Sequence, residues 1–102
     1  MSTRAVITFY DADDDTEMYS VYQHSDGYPD GVLPNMVAAA EYAWPLPRYE
    51  PMDFAAAYIA ANKDKGGGGI YCTSGNHSDI DYRYHVRFDR KTQKLDIDIE
   101  TL

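Results

Sequence analysis

Hydrophobic and polar positions follow two periods along this chain, about two residues near both ends and about 3.6 in the middle. The alternation is strictest towards the C-terminus. There Ile80, Tyr82, Tyr84, Val86 and Phe88 alternate with Asp81, Arg83, His85 and Arg87, and Leu95, Ile97 and Ile99 alternate with Asp96, Asp98 and Glu100. Setting Phe88 opposite Leu95 brings Val86 to Ile97 and Tyr84 to Ile99 on one face. The same register brings Arg87 to Asp96, His85 to Asp98 and Arg83 to Glu100 on the other. Each such pair contributes ~0.2–1 kcal/mol. A slip of one residue would turn the whole apolar set to water, so the register of this hairpin is well specified.

Two further strands are predicted near the N-terminus. Arg4 to Tyr10 is rich in β-branched and aromatic types. Glu17 to His24 places Met18, Ser20, Tyr22 and His24 on one face and Tyr19, Val21 and Gln23 on the other. A short strand, Ile70 to Thr73, follows the glycines at 66–69, which read as a connection from helix to strand rather than a phosphate loop.

The middle of the chain predicts two helices. Val32 to Trp44 has Val37, Ala40, Glu41 and Trp44 at helical spacing, Pro34 in a first turn and Pro45 as a stop. Residues 51–65 begin with Pro51, carry Asp53 near the positive end of the helix dipole, and direct Phe54, Ala57, Tyr58 and Ala61 at a core. The order ββααβββ predicts an α+β fold: an antiparallel-rich sheet with two helices packed on one face, in a single domain over 1–102.

Between the second strand and the first helix lies Gln23-His24-Ser25-Asp26-Gly27-Tyr28-Pro29-Asp30-Gly31. Asp26-Gly27 and Asp30-Gly31 read as turn dipeptides, with Tyr28-Pro29 extended between them. The stretch is expected to be an architectural turn. Gly27 and Gly31 permit its bends, Pro29 stiffens it, Tyr28 anchors it, and His24 and Asp26 lock it by hydrogen bonds.

Charge narrows the choice of partners. Seventeen acidic against nine basic side chains give a net charge of -8, which argues against direct contact with a phosphate backbone. It favours partners that are themselves basic. Asp11, Asp13, Asp14, Asp15 and Glu17, with Asp26 and Asp30, are candidates for a one-signed binding patch, because the nearest lysines follow position 60. Such carboxylates can imitate phosphates to a nucleic-acid-binding surface. The competing reading is a solvated loop that aids solubility.

His-Ser-Asp occurs at 24–26 and again at 77–79. Were the two loops to meet, His24, Asp26, His77 and Asp79 could serve a metal-dependent hydrolase or a nucleotide-binding protein. The other reading is local bonding of Ser and Asp to their own turn backbones. No catalytic residue, metal or cofactor is assigned. Cys72 is alone in the chain and reads as a small buried hydrophobe rather than a nucleophile. A lone cysteine suits a reducing compartment. No apolar run approaches the ~20 residues of a membrane span, and the first residues lack the apolar core of a signal peptide. A cytoplasmic protein is expected, as a monomer or small homo-oligomer.

The segment Tyr22 to Val32 resembles a motif of small bacteriophage and prophage proteins, in which an aromatic and polar strand ends in His-x-Asp-Gly-Tyr-Pro before a helix. Here the motif is His24 to Pro29. Gly67-Gly68-Gly69-Ile70-Tyr71 and Asp79-Ile80-Asp81-Tyr82-Arg83-Tyr84 fit the same pattern. The resemblance implies a phage setting and a host bacterial cytoplasm. In that setting the small size and acidic charge lead to the expectation of an inhibitor of host defence acting by stoichiometric binding, with anti-CRISPR proteins as the leading example.

Overall fold

The computed structural model of the chain describes residues 3–11, 18–48, 50–64, 69–73, 77, 79–89 and 91–102. Its elements follow the expected order: β1 (Ala5–Tyr10), β2 (Met18–Gln23), α1 (Pro29–Ala43), α2 (Pro51–Asn62), β3 (Ile70–Thr73), β4 (Tyr82–Asp89) and β5 (Lys94–Thr101). The strands form one sheet in the order β3-β2-β1-β4-β5. The pairs β1–β2, β2–β3 and β4–β5 are antiparallel, whereas β1 and β4 run parallel. The parallel pair follows from connectivity. After β2 the chain passes through both helices and β3, then returns to the edge of β1 that β2 left open.

The β4–β5 register is the expected one throughout, from Arg83 opposite Glu100 to Phe88 opposite Leu95. One face of the sheet is apolar. Ala5, Ile7 and Phe9, with Val21, Ile70, Tyr84, Val86 and Phe88, share a buried core with residues of both helices. Phe54 of α2 sits at its centre, stacked on Phe88 at 4.7 Å and edge-on to Trp44 at 4.9 Å. The alanines Ala55 and Ala57 let α2 lie close on β1, β2 and β3, while α1 packs on α2.

Helix α1 departs from the sequence reading in three ways. It starts at Pro29 rather than Val32, with Tyr28 as the extended N-cap. Pro29 suits the first position because the missing N–H has no intrahelical acceptor there. Asp30 and Gly31 therefore belong to the first helical turn and do not form a separate bend. Pro34 lies inside the helix, where the Asp30 carbonyl loses its donor. The buried face is Val32, Met36, Ala39 and Ala43, while Val37 is 58% exposed. Apolar residues surround this helix, so spacing alone did not select the correct face. Helix α2 ends at Asn62 rather than 65. The buried Asn62 side chain donates to the carbonyls of Tyr58 and Asn35 and ties the two helices together.

Candidate functional site

The turn after β2 is held by a residue that sequence reasoning passed over. Gln23 lies on the core face of β2 and is 2% exposed. Its amide donates to the carbonyls of Ser25 and Asp26, at 2.9 and 3.0 Å. Its carbonyl accepts from the buried Tyr58 hydroxyl. Tyr84 closes the other side, donating its hydroxyl to the Gly27 carbonyl at 2.7 Å. Burial raises the Tyr58 and Tyr84 hydroxyls well above the ordinary tyrosine range, so both remain donors.

The left-handed conformation in this turn belongs to Asp26, with φ of 57°, rather than to a glycine. Gly27 and Gly31 are needed for close approach. A Cβ on Gly27 would stand 2.8 Å from the Ala5 Cβ, and one on Gly31 would meet the Asp26 carbonyl. Tyr28 is 40% exposed and so is no buried anchor. Its hydroxyl donates to the Asp26 carboxylate at 3.1 Å, which raises the Tyr28 hydroxyl above its ordinary value. His24 points the other way, to the helix-free face of the sheet.

On that face one histidine of each His-Ser-Asp segment, His24 and His77, contacts Tyr22. The His77 ring stacks on Tyr22 at 4.3 Å, and the Tyr22 hydroxyl shares a 3.0 Å hydrogen bond with His24 Nδ1. Burial raises the Tyr22 hydroxyl, opposed by the Arg4 charge and reinforced by Asp79. Val6, Tyr22 and Ile80 form a small second core beneath the segment that leads into β4. The carboxylates do not converge with the imidazoles. Asp79 pairs with Arg4 at 2.6 Å, and Asp26 turns to Tyr28. His77 Nε2 is engaged by the Thr73 hydroxyl at 2.9 Å. Among the described residues no three His, Cys, Asp or Glu side chains are grouped to hold a metal ion. Cys72 is exposed, contrary to the buried reading, because β3 is an edge strand.

Comparison with family models, with curated proteins and with solved structures found no match to this chain. Its binding properties therefore rest on its own surface.

Three of the seven candidate acidic residues, Asp11, Asp26 and Asp30, lie among the described residues. Asp13, Asp14, Asp15 and Glu17 lie outside the described residues. Asp11 follows β1, with its carbonyl 3.3 Å from Arg87 Nη1. Asp26 and Asp30 are exposed beyond the opposite end of β2. At ~3.3 Å per residue the strand length holds Asp11 roughly 20 Å from Asp26 and Asp30.

A different acidic row stands on β5. Asp96, Asp98 and Glu100 are exposed on the helix-free side of this edge strand. Of the cross-strand cations expected to neutralise them, Arg87 and His85 make contacts outside their direct pairs, and no salt bridge joins Arg83 to Glu100. Arg87 lies over the Tyr10 ring at 4.8 Å and donates to the Asp11 carbonyl. His85 meets the Tyr10 hydroxyl through Nδ1 and reaches diagonally to Glu100 through Nε2, at 3.2 Å. No salt bridge joins Asp96 or Asp98 to a described cation. The alternation of 95–100 was visible in the sequence. That the strand forms a sheet edge was not.

The other side of β5 is apolar. Between β5 and α1 runs a groove of about 390 Å³, lined by Leu33, Val37 and Trp44 from the helix side and Leu95 and Ile97 from the strand. Ile99 continues the row and is 38% exposed.

Proposed function

We propose that the protein is a non-catalytic inhibitor of phage type that binds a host defence complex stoichiometrically. In this role it occupies a basic, nucleic-acid-binding surface with its carboxylates, as an anti-CRISPR protein would. The observation that carries this reading is the row of Asp96, Asp98 and Glu100 along the edge of the sheet, in which Asp96 and Asp98 form no salt bridge with a described cation. Alternate residues of a strand recur every ~6.6 Å, a spacing comparable to that of successive phosphates along one nucleic-acid strand. The net charge of -8 strengthens attraction to a basic target over a longer range. The likeness of His24 to Pro29 to the phage motif supplies the biological setting.

The test is capture from a bacterial host, followed by challenge of the captured complex with charge-neutralised variants. Asp96→Asn, Asp98→Asn and Glu100→Gln together should reduce capture about tenfold or more. A second variant neutralising Asp13, Asp14, Asp15 and Glu17 shows whether the other acidic segment contributes. Full activity of every CRISPR subtype in the presence of the protein would end the anti-CRISPR reading.

A second reading draws on the meeting of His24 and His77 around Tyr22. That aromatic group, extended by Tyr71 at 5.2 Å from Tyr22, offers rings on which a nucleotide base could stack. A thermal-shift series with nucleotides, cyclic signalling nucleotides included, tests it. A flat response across the series, with no rise in the melting midpoint, would remove this reading.

A further inference from the structure

The edge of β5 combines three features whose directions can be worked out. The Leu102 N–H donates to the Asp81 carbonyl at 3.0 Å, continuing the β4–β5 register by one residue. In an antiparallel ladder the hydrogen-bonded pairs alternate. Residues 94, 96, 98 and 100 therefore direct their N–H and C=O groups at β4. Residues 95, 97, 99 and 101 direct theirs away from the sheet, where no further strand among the described residues pairs with them. The backbone groups on offer thus belong to Leu95, Ile97, Ile99 and Thr101. The first three side chains stand on the α1 side beside the apolar groove, whereas Asp96, Asp98 and Glu100 stand on the opposite face.

We propose that this edge accepts an extended segment of a partner protein in which apolar residues alternate with Lys or Arg. The inference rests on the binding role argued above and gives it a mode, addition of a sixth strand. Paired residues of neighbouring strands share a face. The residues opposite Leu95, Ile97 and Ile99 would enter the groove against Leu33 and Val37, which are 37% and 58% exposed. Those opposite Asp96, Asp98 and Glu100 would bring positive charge to a row that β4 leaves partly uncompensated. A second copy of the chain fits poorly. Two β5 strands paired antiparallel would place acidic residues opposite acidic residues, which is destabilising. An acidic or uniformly apolar segment satisfies only one face.

The experiment titrates the full chain with three synthetic peptides of about eight residues, a typical strand length. One alternates valine and lysine, the second has the same composition in two blocks, and the third alternates valine and glutamate. The alternating basic peptide is expected to bind one-to-one and to slow amide exchange at Leu95, Ile97 and Ile99. The block and acidic peptides should bind about tenfold more weakly or worse. Ile97→Pro removes an outward N–H without removing a bond to β4, and should weaken the alternating peptide by at least about tenfold. Val37→Asp charges the groove from an exposed helix position and should weaken binding independently, which covers failure of the proline variant to fold. Equal affinity for the alternating and block basic peptides would overturn strand addition while leaving the wider reading of a surface for basic partners intact. Binding to neither would count against both. Sedimentation showing a dimer that the alternating peptide cannot dissociate would assign the edge to a second copy and overturn the proposal.

Discussion

Gln23 shows how one buried amide can hold a turn that its neighbours in the sequence only outline. It satisfies two loop carbonyls and the Tyr58 hydroxyl at once. Gln23→Leu would leave these groups buried and unpaired, and should cost about 2–4 kcal/mol in urea denaturation. Adding Tyr58→Phe should recover part of that loss, because one stranded hydroxyl is then removed. Gly31 is constrained differently. Its Cα faces the Asp26 carbonyl, so Gly31→Ala should destabilise by ~1–3 kcal/mol through overpacking. The sequence marked both glycines as special but pointed to the wrong reason. A dihedral requirement and a space requirement look alike in one letter of sequence, and only the fold shows that Asp26 takes the positive φ. Gln23 was hidden because an alternating strand allows a polar residue on its buried face wherever a loop folds back over it.

At the scale of elements, the β4–β5 hairpin was legible because two independent patterns, apolar and charged, demanded one register. The ion pairs inferred from that register were less legible. A cation on a strand can reach sideways as well as across, and Tyr10 on β1 drew both Arg87 and His85 away from the nearest acids. The turn of this hairpin contains its own acid-sensitive lock. Asp89 accepts from the Lys91 and Thr92 backbone N–H groups, at 2.8 and 3.4 Å, and these bonds hold its carboxyl below the usual value. A depressed folded value means stability present above the unfolded carboxylate range and lost as pH falls through the folded value. Asp89→Asn should therefore lower the melting midpoint at neutral pH, and its deficit relative to wild type should shrink in acid. On the helices, Phe54→Ala should cost about 3–5 kcal/mol, since the ring is 0% exposed and packs against Phe9, Trp44 and Phe88. The buried face of α1 was not legible because its alanines carry little contrast between inside and outside.

For the whole molecule, the charge of -8 is a source of self-repulsion as well as attraction to partners. The melting midpoint should rise between roughly 10 and 150 mM salt, as the Debye length falls from about 30 to 8 Å. A midpoint that falls over this range would show that attractive surface pairs outweigh repulsion. No helix among the described residues is long and apolar enough to cross a membrane. The class of fold was legible in the sequence because each element carries its own period. The sheet order was not, since strand neighbours depend on where long connections return. That return has a consequence for how the molecule is made. Of the five strands β1 leaves the ribosome before the others, yet it occupies the middle of the sheet, and β4 reaches it only after residue 81. Until then one side of an apolar strand waits unpaired. Nascent chains stalled before β4 should be protease-sensitive and prone to self-association, whereas emergence of β4 and β5 should complete the sheet in one late step.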